Sequence, residues 1–160
     1  MNRLLMLLVA LMLLTSCSAL EPIETKRMNY QQQIRDWQER MKKEGWTKSL
    51  VDDVAHKSID MIGYRFESED HWATCGEIEK DFSGDCEDIA AWGYCTFERL
   101  GYPHPVHILG VGASLADHAL LKVQMPSGEW ETYETVPINT IGLEWLFYRP
   151  FAEWDVVSIY

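Results

Sequence analysis

The stretch Gly84-Asp85-Cys86-Glu87-Asp88 puts a cysteine where an apolar helical pattern begins, and His118 opens an alternating segment later in the chain. Thiolate is the reactive form of cysteine. A helix N-terminus favours it, because the unsatisfied N–H groups and the macrodipole stabilise negative charge there. A histidine at the head of a strand can hang over the sheet end and act as the base that deprotonates the thiol and later protonates a leaving group. A cysteine hydrolase uses a nucleophile and a base in this order. The competing reading is structural, with Cys86 as a small apolar residue beneath a sheet and His118 as a polar rim residue.

Hairpin geometry selects an acid to orient the imidazole. With the three-residue loop Pro126-Ser127-Gly128, Met125 faces Glu129 and Leu120 faces Glu134. His118 and Glu134 are then diagonal neighbours on one face, roughly 7–8 Å apart at Cα. A two-residue loop would move Glu134 to the other face. Asp85, Glu87 and Asp88 work against the nucleophile, since like charge beside the thiol raises its pKa. A bound calcium ion would remove the conflict: these three carboxylates would supply part of a shell of about six to eight oxygens, and Glu67, Glu69 or Asp70 the rest. The plainer alternative is that they cap the helix and face water.

The elements that must position these residues follow from periodicity. Tyr30, Ile34, Trp37 and Met41 form one stripe of a helix over Met28–Lys43 that Gly45 ends. A second helix is expected over Ser49–Ile62, with Ser49 as cap and Gly63 as stop, and a third from Asp85 or Cys86 to Leu100. Ala90, Ala91 and Gly93 would let a sheet approach the third helix closely. Residues 64–84 read as a long ordered loop with a short helix around Glu77, a length that in compact domains tends to be functional. Trp72 in that loop either shields the site or belongs to the core. The period then changes to two over Val106–Val111, His118–Met125, Glu129–Val136 and Trp154–Tyr160. Helices first and an antiparallel sheet afterwards give an α+β fold.

Residues 1–16 read as an export leader: Arg3, an apolar run from Leu4 to Leu14, then Thr15-Ser16-Cys17. The run is too short for a bilayer core of roughly 30 Å. Small residues before Cys17 look like a bacterial lipobox, which makes Cys17 the lipidated start of the mature chain; an ordinary secretory signal cut nearby is the alternative. Ser18 resembles the default for sorting to the outer membrane. Residues 17–27 form a tether, with Pro22 discouraging helix, and 28–160 a single domain. The formal charge of −11 excludes nucleic acid as a natural partner. With Cys17 assigned to lipid, Cys75, Cys86 and Cys95 remain, so at least one thiol is unpaired in an oxidising compartment, and Cys86 is the choice for it. A Cys75–Cys95 bridge is open. No Cys/His zinc spacing is present.

Asp70-His71-Trp72-Ala73-Thr74, Gly84-Asp85-Cys86-Glu87-Asp88, Tyr94, Leu100-Gly101 and the later His118 together resemble the bacterial transglutaminase-like cysteine proteinases. The resemblance implies a papain-like or transglutaminase-like fold and a triad of Cys86, His118 and Glu134. It also implies calcium held by Asp85, Glu87 and Asp88, and cleavage of a surface adhesin. Two departures stand out: glutamate occupies the place of the family's aspartate, and the chain is short and carries a lipidation signal where these proteases are soluble in the periplasm. The expectation is an exported cysteine peptidase, anchored by lipid to the periplasmic face of the outer membrane. Its alternatives are acyl transfer to an amine on the same triad, and a binding or assembly lipoprotein that keeps the fold without turnover.

Overall fold

The computed structural model describes residues 21–65, 71–112, 117–136 and 149–154; the leader, Cys17 and Ser18 lie outside the described residues. Helix α1 spans Ile23–Glu44. It begins five residues before the expected start, so part of the expected tether is helical. Pro22 is the reason: at the N-cap its missing N–H costs nothing, and its carbonyl accepts from the Thr25 and Lys26 N–H groups at 2.9 and 3.1 Å. Tyr30 and Trp37 from the expected stripe are fully buried. The Tyr30 hydroxyl lies 3.1 Å from Thr96 Oγ1, and the Trp37 indole N–H donates to Asp53 at 2.9 Å.

Helix α2 spans Lys48–Met61 and is capped by Thr47 rather than Ser49, its Oγ1 accepting from the Leu50 N–H at 3.2 Å. It buries Leu50, Val51, Val54 and Ile59. Residues 63–65 and 71–84 hold regular elements, among them the short helix expected around Glu77. Strand β1 (Gly63–Tyr64) pairs in parallel with β2 (Ser83–Gly84), and α3 (Cys75–Asp81) lies between them. A capping box starts α3: Thr74 Oγ1 accepts from the Glu77 N–H at 3.3 Å, and Glu77 accepts from the Thr74 N–H at 2.9 Å. The Cys75–Cys95 disulfide ties α3 to the next helix with a Cα–Cα distance of 6.1 Å. Closing a loop of this length is worth about 3 kcal/mol of chain entropy. It leaves Cys86 as the thiol among the described residues.

Helix α4 spans Cys86–Arg99 and is the central element, burying Ile89, Ala90, Ala91, Trp92, Thr96 and Phe97. It packs on a four-stranded sheet of order β5-β4-β3-β6, in which β3 is Val106–Gly112, β4 Asp117–Gln124, β5 Trp130–Tyr133 and β6 Arg149–Trp154. All three pairings are antiparallel, and the class is α+β. A Cβ on Gly93 would come within 2.6 Å of a Leu121 methyl, so this glycine permits the close helix-to-sheet approach. β6 is not expected from the sequence pattern, and the strand expected over Trp154–Tyr160 lies, apart from Trp154, outside the described residues. Pro150 hides β6 from the sequence pattern, and among the described residues β6 lies at the edge of the sheet, where a proline is tolerated.

The hairpin between β4 and β5 has the expected register. Leu121 faces Tyr133 and Gln124 faces Trp130, and the Met125 N–H donates to the Glu129 carbonyl at 2.7 Å. Gly128 closes the three-residue turn at φ +89°. This count sets Glu134 opposite Leu120 and on the face of His118.

Candidate active site

Cys86 is the first residue of α4, with Asp85 as an extended N-cap whose carbonyl accepts from the Ile89 N–H at 3.0 Å. The half-buried thiol donates to Glu87 Oε2 at 3.1 Å. Burial pushes the thiol up to about 12; the Glu87 hydrogen bond and the Glu87 and Asp85 charges push the same way, and a hydrogen bond from the Ala119 backbone N–H pulls against them. The helix terminus therefore does not win at this cysteine: the group rests as a neutral thiol.

The sheet side is organised differently. His118 sits at the start of β4, only 4% exposed, and its Nε2–H donates to Glu134 Oε1 at 2.7 Å. The carboxylate, which can only accept, fixes the proton on Nε2. Glu134 Oε1 also accepts from the Val136 N–H at 3.0 Å, which curls the chain just after β5. Glu134 Oε2 is buried with no hydrogen-bond partner among the described residues.

The two sides meet at Ala119, the residue after His118, whose N–H faces the Cys86 sulfur. Thr135, 2% exposed, donates its hydroxyl to the Ala119 carbonyl at 2.6 Å. No sequence signal singled out either residue. A buried threonine at a strand end reads as ordinary β filling.

Of the three acidic residues beside Cys86, Glu87 and Asp88 are bonded within the protein. Asp85 forms the N-cap, Glu87 takes the thiol, and Asp88 is 1% exposed with Oδ1 accepting from the Ala73 N–H at 2.8 Å. Among the described residues, no group of three or more His, Cys, Asp or Glu is placed to hold a metal ion. Glu67, Glu69 and Asp70, the expected rest of the shell, lie outside the described residues. Gly84 of the same motif serves Asp88, because a Cβ there would stand 2.4 Å from Asp88 Cβ. The Asp88 bond to Ala73 in turn fixes the 71–74 segment against α4, with Trp72 half-buried on the core.

No family model matches the chain, and no curated protein matches it. Solved structures do. Calcium-bound LapG of Legionella pneumophila is similar with a TM-score of 0.58 at 16% identity, over 89% of this chain and 81% of that one. LapG of the same organism matches in a further structure with a TM-score of 0.55 at 16% identity, over 86% of each chain. The EGTA-treated form has the same score and identity, over 86% of this chain and 83% of that one. Motif and fold agree on one likeness: the chain has the LapG fold, with a cysteine at the head of its central helix and a histidine–glutamate pair at the start of the facing strands.

Proposed function

We propose that this chain is an exported cysteine peptidase of transglutaminase-like type, with papain-like packing of α4 on its sheet, that hydrolyses a peptide or amide bond of a cell-envelope protein. The observation that carries this reading is the 2.7 Å bond between His118 and Glu134, at the strand end whose next residue meets the Cys86 sulfur. With Nε2 given to Glu134, proton exchange with the thiol runs through Nδ1. His118 takes the S–H proton as the sulfur bonds to the carbonyl carbon, and backbone N–H groups at the start of α4 receive the oxyanion. The C–N bond breaks as the imidazolium protonates the leaving amine, which leaves a thioester. Water then attacks, its proton passing to His118, and the acid leaves with Cys86 restored.

Calcium is kept apart from these steps. LapG has a calcium-bound form, and the acidic residues beside Cys86 are the donors this chain offers, yet the Glu87 and Asp88 side chains are bonded to Cys86 and Ala73. Calorimetric titration of the purified chain with calcium decides: saturation at one ion per chain means that Glu87 and Asp88 exchange partners, and absence of heat ends the calcium reading.

The substrate we propose is a surface adhesin, and the anchor a lipid on Cys17 at the periplasmic face of the outer membrane. The test compares the unmodified protein with Cys86→Ser on the surface proteins of the host, with and without a chelator. Fragments that need the thiol support the reading, and identical fragment patterns overturn it. A labelled amine in the same reaction distinguishes acyl transfer, by incorporation, from hydrolysis. One observation favours a second reading, a binding lipoprotein without turnover: the Cys86 thiol is half-buried and donates to Glu87, and burial pushes its pKa up. Stoichiometric alkylation of Cys86 by iodoacetamide at neutral pH would count against it.

A further inference from the structure

In an antiparallel ladder, hydrogen-bonded pairs alternate with non-bonded ones. Met125 and Glu129 are a bonded pair, so by the observed register Leu121 with Tyr133 is another and Ala119 with Thr135 would be the next. The ladder stops at Tyr133 instead. The Ala119 carbonyl accepts from the Thr135 side chain at 2.6 Å, and the Ala119 N–H, beyond the last pair of the β4–β5 ladder, acts on the Cys86 thiol and pulls its pKa down. Two features keep the ladder open. Glu134 draws in the Val136 N–H at 3.0 Å and bends the chain, and the buried Thr135 hydroxyl fills the place of the missing main-chain donor.

We propose that Thr135 is a positioning residue that holds the β4–β5 ladder open at Ala119, so that the Ala119 N–H serves the sulfur of Cys86 rather than the sheet. This inference rests on the reading of Cys86 as the nucleophile. Without the hydroxyl, the Thr135 main chain can close onto Ala119 by the ordinary pair of bonds, which withdraws the N–H from the thiol. A side chain that merely filled space would be replaced without effect by one of the same shape.

The test compares Thr135→Val, which keeps the shape, with Thr135→Ser, which keeps the hydroxyl. The readout is the rate of Cys86 alkylation by iodoacetamide at one fixed pH in chelator-containing buffer, followed by intact mass. Thr135→Val is expected to slow alkylation about tenfold, the worth of one hydrogen bond to a developing charge, with Thr135→Ser within about twofold of the unmodified protein. Equal rates in a folded Thr135→Val overturn the inference. If that variant fails to fold, the amide resonance of Ala119 in the unmodified protein decides: it must move when Cys86 is blocked by methylthiolation, and a stationary resonance overturns the inference. Neither readout needs a substrate. A split in alkylation rates without any hydrolysis would sink the peptidase reading while leaving the role of Thr135 intact.

Discussion

The two halves of the candidate site are prepared to different degrees. On the sheet side, His118 is buried and already bonded to its acid at 2.7 Å. On the helix side, Cys86 is turned to Glu87 and kept protonated by its surroundings. The contrast teaches that the proposed base is set by the register of a hairpin, whereas the proposed nucleophile would need a change in its immediate neighbours. A sheet fixes side chains by counting residues along strands; a helix start fixes only one, and leaves the next acidic residues to find their own partners.

The largest expected effect breaks the prepared half. Glu134→Gln removes the charge that holds His118 in one tautomer, and turnover of a fluorogenic peptide should fall by about 10²–10⁴-fold, with KM little changed. Glu134→Asp, which restores the residue of the resembling family but is one methylene shorter, should recover part of that loss; equal activity in all three proteins would remove Glu134 from the site. The joint between the halves comes next. Gly93→Ala drives a methyl into Leu121 and should cost about 1–3 kcal/mol in chemical denaturation, while any activity that remains keeps its pH profile.

Glu87→Gln sharpens the contrast from the other side. Removing the charged acceptor should lower the thiol from about 12 and speed alkylation at neutral pH by about tenfold. A slower reaction would mean that Glu87 assists the thiol. The smallest effect is on stability at alkaline pH. The unfolded thiol loses its proton near 9 while the folded one holds it to about 12, so the unfolded state binds fewer protons between these values. The stability that Cys86 contributes is therefore whole below pH 9 and lost as pH rises towards 12. Denaturation midpoints of the unmodified protein should fall over that window more steeply than those of Cys86→Ser.

Much of the framework was legible in the sequence, and the reasons are local. The apolar stripe of α4, the stop at Leu100-Gly101 and the turn Pro126-Ser127-Gly128 are short-range signals, and the last of them placed Glu134 beside His118. Where the reading missed, a distant partner decided. Pro22 begins α1 because the helix needs a carbonyl there rather than an N–H. Pro150 disguises β6 because only the fold shows that the strand is an edge. The placement of Asp88 depends on the Ala73 N–H that binds it and on the room Gly84 leaves beside it, and no sequence pattern announces either. Thr135 was invisible for the same reason, since its role exists only where a ladder ends early.

The bridge between Cys75 and Cys95 fastens α3, and through its capping box the segment carrying Trp72, to the helix that begins with Cys86. That fastening is an oxidation, which neither the ribosome nor the thiol pools of a cytosol supply. A chain still among reductants would own a finished sheet and a wall held by the Asp88–Ala73 hydrogen bond without its covalent tie, which it would gain only where electrons are taken away. One covalent bond would thus record whether the chain has met an oxidant.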